Sequence, residues 1–239
     1  MLLLHDFYFV DQNGKKSSEY YMFFEEYPRI KLGQEQKEKK TIPGRGNVWI
    51  STETYSDTEI NMLLDINTLL HRDVCYTEAY AQAHSFLSDL EEITFCNSPD
   101  FFYKVKSVSI GEIDQYAENA GDFSVTLICA PGVFIKEGIF RKPSDSVLFN
   151  PYSLSHPEYY ISGNGTCTIT VNGNSMKATV GQNLTIDTER MIAYREDGDL
   201  FNTSVSGDYE GLYLLHGENT IEITSGFELE VTPNWRYLP

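Results

Sequence analysis

Cations are scarce in this sequence. Lys and Arg number 18 against 35 Asp and Glu over 239 residues, a formal net charge of −17. A protein that grips duplex nucleic acid attracts phosphates with a surplus of Lys and Arg, the opposite balance. Both halves share the deficit: residues 1–140 contribute 12 − 22 = −10 and residues 141–239 contribute 6 − 13 = −7. Neither half therefore conceals a sequence-specific nucleic-acid module. Cysteine is sparse as well. Cys75, Cys96, Cys129 and Cys167 lie 21, 33 and 38 residues apart with no CxxC pair, which removes zinc-ribbon and thioredoxin-like sites. They read as buried or half-buried free thiols of a reducing compartment, although one disulfide is compatible with the spacing. Long apolar runs are missing too, none approaching the roughly 20 residues that span a bilayer. The opening Met1-Leu-Leu-Leu-His-Asp6 lacks the basic region and apolar core of a signal peptide. Synthesis in the cytoplasm, without a membrane partner, is the expectation.

Catalytic signatures are equally short. There is no G-x-S-x-G elbow, no HExxH pair and no P-loop. His5, His71, His84, His156 and His216 are scattered, and each reads as a packing or surface histidine. Gly163-Asn-Gly165 lacks the third glycine of a dinucleotide fingerprint. Glu196-Asp197-Gly198-Asp199 is rich in carboxylates of the kind calcium prefers, but fits no 12-residue EF loop and reads as a solvated hairpin turn. The residues thus point to no catalytic, cofactor-binding or metal-ligating set, and to no enzyme. An alternative function is carbohydrate binding, with Tyr194, Tyr209, Tyr213 or Trp235 as platforms for sugar rings.

What is abundant is β-forming sequence. Apolar residues make up 41% of the chain, with 16 Tyr and 14 Phe, ample for packed cores. Residues 4–10 and 19–32 read as strands around the turn Asp11-Gln-Asn-Gly14. Gln34-Glu-Gln-Lys-Glu-Lys-Lys40 is polar throughout, Pro43-Gly44 is a type II turn signature, and Val48-Trp-Ile50 resumes a strand. Residues 33–60 accordingly form a long hairpin arm with its turn near Gly44, running into Ile60–Ile66. Tyr80, Ala83, Phe86, Leu87 and Leu90 recur at helical steps, predicting a helix over 77–91 with Glu78 in its first turn. Strands follow at 101–110 and 122–129 with a loop at Ala117–Asp122. The loop-like Arg141-Lys-Pro-Ser-Asp-Ser146 places a domain boundary near 140, giving domains 1–140 and 141–239. In the second domain turn signals recur every 8–12 residues, the rhythm of a β-sandwich. Examples are the hairpin at Asn172-Gly173 and the alternating Asn219–Thr224 and Glu228–Val231, and no helix is expected there.

Several phrases, in this order, carry a resemblance. They are Ile42-Pro-Gly-Arg-Gly-Asn47, Tyr55-Ser-Asp-Thr-Glu-Ile60 and, after the helix, Phe95-Cys-Asn-Ser-Pro-Asp-Phe-Phe-Tyr-Lys-Val-Lys106. The second domain adds Pro157-Glu-Tyr-Tyr-Ile-Ser-Gly-Asn-Gly-Thr-Cys-Thr-Ile-Thr-Val-Asn-Gly173, Gly217-Glu-Asn-Thr-Ile221 and Thr232-Pro-Asn-Trp-Arg236. Together they resemble the distal tail (Dit) proteins of long-tailed siphophages and related prophages of Gram-positive bacteria, over residues 5 to 238. The resemblance implies a mainly β fold: an N-terminal β-sandwich or barrel-like domain with one helix and a hairpin arm, then a C-terminal galectin-like β-sandwich. It implies a structural virion component without cofactors, a homo-hexameric ring at the tail tip. That ring joins the tail tube protein to the tail hub or tail-associated lysin, and docks receptor-binding or baseplate proteins. In that setting the arm has a partner surface at every junction of a cyclic ring. Lys37, Lys39, Lys40, Pro43, Gly44 and Arg45 are then the expected inter-subunit contacts, the cations meeting acidic patches of the neighbour. Negative charge facing the bore of such a ring would let DNA pass without sticking.

Overall fold

The computed structural model describes residues 6–69 and 74–239. His5, His71 and the first residues of the expected 4–10 strand lie outside that range. Chain contacts separate two compact units, the first running to Val133 and the second spanning Phe134–Leu238. Among the described residues no helix is long and apolar enough to cross a membrane.

The first unit is built from β1 (Phe9–Val10), β2 (Met22–Phe24), β3 (Arg29–Lys31), β4 (Glu35–Ile42), β5 (Gly46–Tyr55) and β6 (Thr58–Asn67), then α1 (Tyr76–Ser88). β7 (Glu92–Phe95), β8 (Phe101–Ile110), β9 (Asp114–Ala117) and β10 (Ala120–Cys129) complete it. Its main sheet has the order β1-β7-β8-β10-β6-β2, with β3 also on β6 and β9 on β10. Alternation along β6 buries Ile60, Met62, Leu64 and Ile66 on one face and turns Asn61, Leu63 and Asp65 to the other. β10 does the same with Phe123, Val125 and Leu127. α1 closes the buried face with Ala79, Ala83, Phe86 and Leu87, a stripe of three- and four-residue steps. Aromatic edges finish the core: Tyr20 stacks on Phe86 with centroids 4.3 Å apart, and Phe7 meets Phe24 edge-on at 4.9 Å.

Three expectations are corrected here. The helix stops at Ser88 because Gln12, brought in from the N-terminal turn, takes over the chain beyond it. Its side-chain amide donates to the Asp89 carbonyl at 2.9 Å and accepts the Glu91 N–H at 3.1 Å. Residues 19–32 are not one strand: Ser17–Tyr20 is a 3-10 turn closed by left-handed Tyr21 (φ 62°), and Pro28 separates β2 from β3. Ala117–Asp122 is not a loop, since Ala117 pairs with Ala120 across a two-residue turn.

In the second unit the strands are β11, which starts on Val133 (Val133–Ile135), β12 (Lys142–Pro143), β13 (Val147–Asn150), β14 (Glu158–Val171) and β15 (Asn174–Asp187). Then come β16 (Ile192–Tyr194), β17 (Val205–Ser206), β18 (Gly217–Ile223), β19 (Glu228–Thr232) and β20 (Arg236–Tyr237). β14 and β15 form one long hairpin whose turn, Asn172 (φ 50°) and Gly173 (φ 85°), has the doubly left-handed backbone that matches strand twist. β14 pairs with β19 over Glu158–Ser162 and with β18 over Ile169–Val171, so the hairpin carries neighbours at both ends. Its inward residues Tyr159, Ile161, Cys167, Ile169 and Val171 join Met176, Ala178, Val180, Leu184 and Ile186 in a β-sandwich core. The buried Tyr159 hydroxyl donates to the Leu212 carbonyl at 2.8 Å. At the chain end Arg236, 4% exposed, donates from Nε to the Leu154 carbonyl (3.2 Å) and lies 3.5 Å from Glu189 Oε2.

All four cysteines are free. Cys129 and Cys167 are buried and Cys96 half-buried, whereas Cys75, expected to be at least half-buried, is exposed because it sits just outside the first helical turn. Burial pushes the Cys129 thiol up to about 12.

Candidate functional site

β4 and β5 form a two-stranded sheet of their own, with no third strand among the described residues. Its root is fixed to the first unit: Gly33 N–H reaches Thr58 Oγ1 at 3.4 Å, and Gln34 and Ser56 exchange backbone and hydroxyl bonds. Beyond the root, every described residue from Gln36 to Ser51 is exposed. At the tip, Arg45 N–H donates to the Ile42 carbonyl at 3.0 Å and Gly44 has φ 79° at the third position. That is the type II turn for which proline then glycine is the fitting pair. A hairpin of two strands is marginal in water without a packed face. This one has local polar ties instead: Thr41 Oγ1 to Asn47 Oδ1 (3.0 Å), Thr52 Oγ1 to the Gln36 carbonyl (2.8 Å), and Ser51 to Glu35.

Register distributes the predicted residues over both faces. Lys37 stands opposite Ser51, Lys39 opposite Trp49 and Thr41 opposite Asn47 on one face. Glu38 opposite Ile50, Lys40 opposite Val48 and Ile42 opposite Gly46 make the other, and Pro43, Gly44 and Arg45 form the turn. Lys37 is already engaged by Glu35 at 3.1 Å. The Ser51 hydroxyl and then Lys37 hold the Glu35 carboxyl below the usual carboxylate range. Lys39, Lys40 and Arg45 have no ion-pair partner among the described residues.

Sequence reasoning treated the arm as polar and passed over its apolar residues. Trp49 is 63% exposed, Ile50 44%, and Val48 and Ile42 39% each. A contiguous Val-Trp-Ile opposite a strand of Lys and Glu was the available signal, because such a strand has nothing in the same hairpin to bury it against. The site is therefore a two-faced ribbon with cations and large apolar groups interleaved, suited to clasping another surface.

The sugar-platform residues fare differently. Trp235 is 6% exposed, packed among the second unit's core with Lys142 Nζ 4.4 Å from its ring, so no sugar can stack on it. Tyr213 stacks on His156 at 4.0 Å, and Tyr194 and Tyr209 are half-buried. Glu196–Asp199 forms a reverse turn in which Gly198 N–H donates to the Arg195 carbonyl at 2.9 Å. His84 lies on α1 edge-on to Tyr80 and His216 bonds the Tyr152 carbonyl at 2.9 Å; both are exposed surface histidines.

With its two units and its projecting arm, the chain has the fold of the distal tail proteins of phages. In particular it is similar to the crystal structure of Dit from phage SPP1, described as a paradigm of the hub adsorption apparatus of phages infecting Gram-positive bacteria. The TM-score is 0.61 at 14% identity, over 94% of this chain and 97% of that one. It is also similar to a chain of the phage P2 baseplate in its activated, calcium-containing conformation, with a TM-score of 0.52 at 9% identity over 94% and 96% of the two chains. No protein-family model matches the chain, and none of the curated proteins matches it at a significant level.

Proposed function

We propose that this chain is a structural component of a phage tail tip. In this reading six copies form a ring through their first units. Each arm clasps the neighbouring copy through Lys37, Lys39, Lys40, Pro43, Gly44, Arg45 and the apolar residues on β5. The ring joins the tail tube to the hub or tail-associated lysin, and the second units offer docking points for receptor-binding or baseplate proteins.

The observation that carries this reading is the arm itself. Sixteen consecutive positions, 36–51, are exposed in the separate subunit, with Trp49 among them. Full burial of one large apolar side chain stabilises by about 1.5–3 kcal/mol. A solitary subunit forgoes part of that at each of Ile42, Val48, Trp49 and Ile50, which are 39–63% exposed. A cyclic arrangement recovers it at every junction. Fold similarity over nearly the whole chain to a Dit protein and a baseplate chain points to the same kind of assembly.

Native mass spectrometry and negative-stain microscopy of the purified protein test it. A six-membered ring is expected, and a chain with residues 36–54 replaced by a short Gly-Ser link should remain monomeric and folded. Assembly of the shortened chain as readily as the intact one would refute the role of the arm.

A further inference from the structure

The outer face of the first unit's sheet holds an arrangement that a solitary subunit does not explain. Strand register sets Phe23 opposite Asp65, Asp65 opposite Asp122, and Asp122 opposite Asp114. Asp65 and Asp122 are thus directly opposed on β6 and β10, and Asp114 faces Asp122 from β9 across a bulged register. Directly opposed residues on antiparallel strands have Cβ atoms about 5 Å apart, and like charges at that spacing destabilise the sheet. Glu25, whose N–H donates to the Leu63 carbonyl at 3.1 Å, brings a fourth carboxylate. Desolvation and then Asp122 and Asp65 raise its pKa. Tyr116, 60% exposed, donates its hydroxyl to Asp65 Oδ1 at 2.9 Å. Among the described residues no cation pairs with Asp65, Asp114 or Asp122. The contrast with the other end of β6 is direct, for there Asp57 has Lys106 Nζ at 2.6 Å.

The complementary charge is on the same chain but does not touch this row. From Lys39 to Thr52 the arm carries Lys39, Lys40 and Arg45 and no carboxylate. Elsewhere in the unit cations are dispersed or engaged: Arg29 pairs with Glu26, and Lys16 lies over Tyr8. Apolar groups match as well, since Phe23 and Tyr116 flank the carboxylates while Trp49 and Val48 accompany the lysines. The eight residues of β4 extend the arm roughly 26 Å at about 3.3 Å per residue, enough to reach across a subunit boundary.

We infer that the carboxylates of Asp65, Asp122 and Asp114 are the seat for the hairpin arm of a second copy of this chain, with Lys39 on the Trp49 face of the ribbon and Arg45 at its tip neutralising them. The inference rests on the ring reading above and assigns the acceptor surface within it. Opposite charges arranged this way select the register of docking and suppress wrong pairings. They also explain why an unneutralised carboxylate row is kept on a sheet face: its counter-ions arrive with the neighbour.

A charge exchange tests the seat. One chain carries Lys39→Glu and Arg45→Glu, another Asp65→Lys and Asp122→Lys, and association is followed by sedimentation velocity. At about 20 mM salt, where screening reaches beyond 20 Å, each altered chain alone should associate about tenfold more weakly than wild type. An equimolar mixture should regain assembly as alternating oligomers, because altered arms then meet altered rows and native arms meet native rows. A single chain with all four substitutions should regain it too. If wild type assembles but the altered chains assemble equally well, or the mixture stays dissociated, the inference is overturned and the row belongs to another partner. A wild-type chain that never self-associates overturns both the inference and the ring reading.

Discussion

Replacing Trp49 by alanine should leave the subunit as stable as before and weaken its association severely. The indole is 63% exposed on a ribbon that covers it with nothing. A tryptophan offers up to about 250 Å² of surface, so roughly 150 Å² is available to be covered by a neighbour. At about 25 cal/mol per Å² that is worth ~4 kcal/mol if wholly buried. Ordering of the side chain and incomplete coverage reduce this to about 2–3 kcal/mol, or roughly 30–150-fold in dissociation constant per junction. Within the separate subunit the substitution touches only surface, where effects stay within about 0.5 kcal/mol and the melting midpoint moves by about 1–2 °C. The two quantities are read by a sedimentation concentration series and by thermal denaturation below the association range. A midpoint lowered by more than about 5 °C with association intact would show that Trp49 packs within its own subunit, and the clasp would have to be abandoned.

Arg236→Ala should destabilise the second unit by about 2–3 kcal/mol, because it removes charge-assisted bonds to the Leu154 carbonyl and to Glu189. Urea unfolding followed by the fluorescence of Trp235, in a Trp49→Phe background, reads that unit alone, since the chain has two tryptophans. The Tyr116 phenol is pushed up to about 12, chiefly by its bond to Asp65 and then by desolvation and the surrounding carboxylates. The folded state thus favours the neutral phenol, so the stabilisation is complete below the unfolded value near 10 and is lost as pH rises from there to about 12. Burial also raises the Tyr159 phenol, so ultraviolet titration should show several late-ionising tyrosines. Tyr116→Phe should remove one from that late phase in the separate subunit; loss of a tyrosine titrating near the ordinary value instead would refute the bond.

Much of the fold is legible in the residues, and its limits have physical causes. The stripe of Ala83, Phe86 and Leu87 fixes a helix because only a 3.6-residue period aligns it. The Pro43-Gly44 and Asn172-Gly173 turns are local events needing no tertiary information, and both form as expected. What local patterns cannot supply is the effect of distant partners. Gln12 ends α1 from 77 positions away, and nothing near Leu90 announces that. The carboxylate row is similarly invisible along the chain: Asp65, Asp114 and Asp122 become neighbours only through strand register. The lysines of the arm, by contrast, stand out on a chain with so few cations. Trp49 was missed because a strand reading presumes that its apolar residues face their own core.

The separate hairpin has a further consequence for the life of the protein before assembly. Both of its strands are sheet edges, each offering unpaired backbone groups, and one of them carries Val48-Trp49-Ile50 in the open. Such a ribbon is a template for unlimited strand addition and fibre growth. Lys39 and Lys40 stand directly across from Trp49 and Val48, so stacking identical ribbons would bring like charges together, and Pro43 denies the tip a backbone donor. The cations that suit the arm to a neighbour's carboxylates therefore also keep stored, unassembled copies from polymerising through their arms. Neutral replacements at Lys39 and Lys40 would then endanger solubility, while exchange for Glu would preserve it.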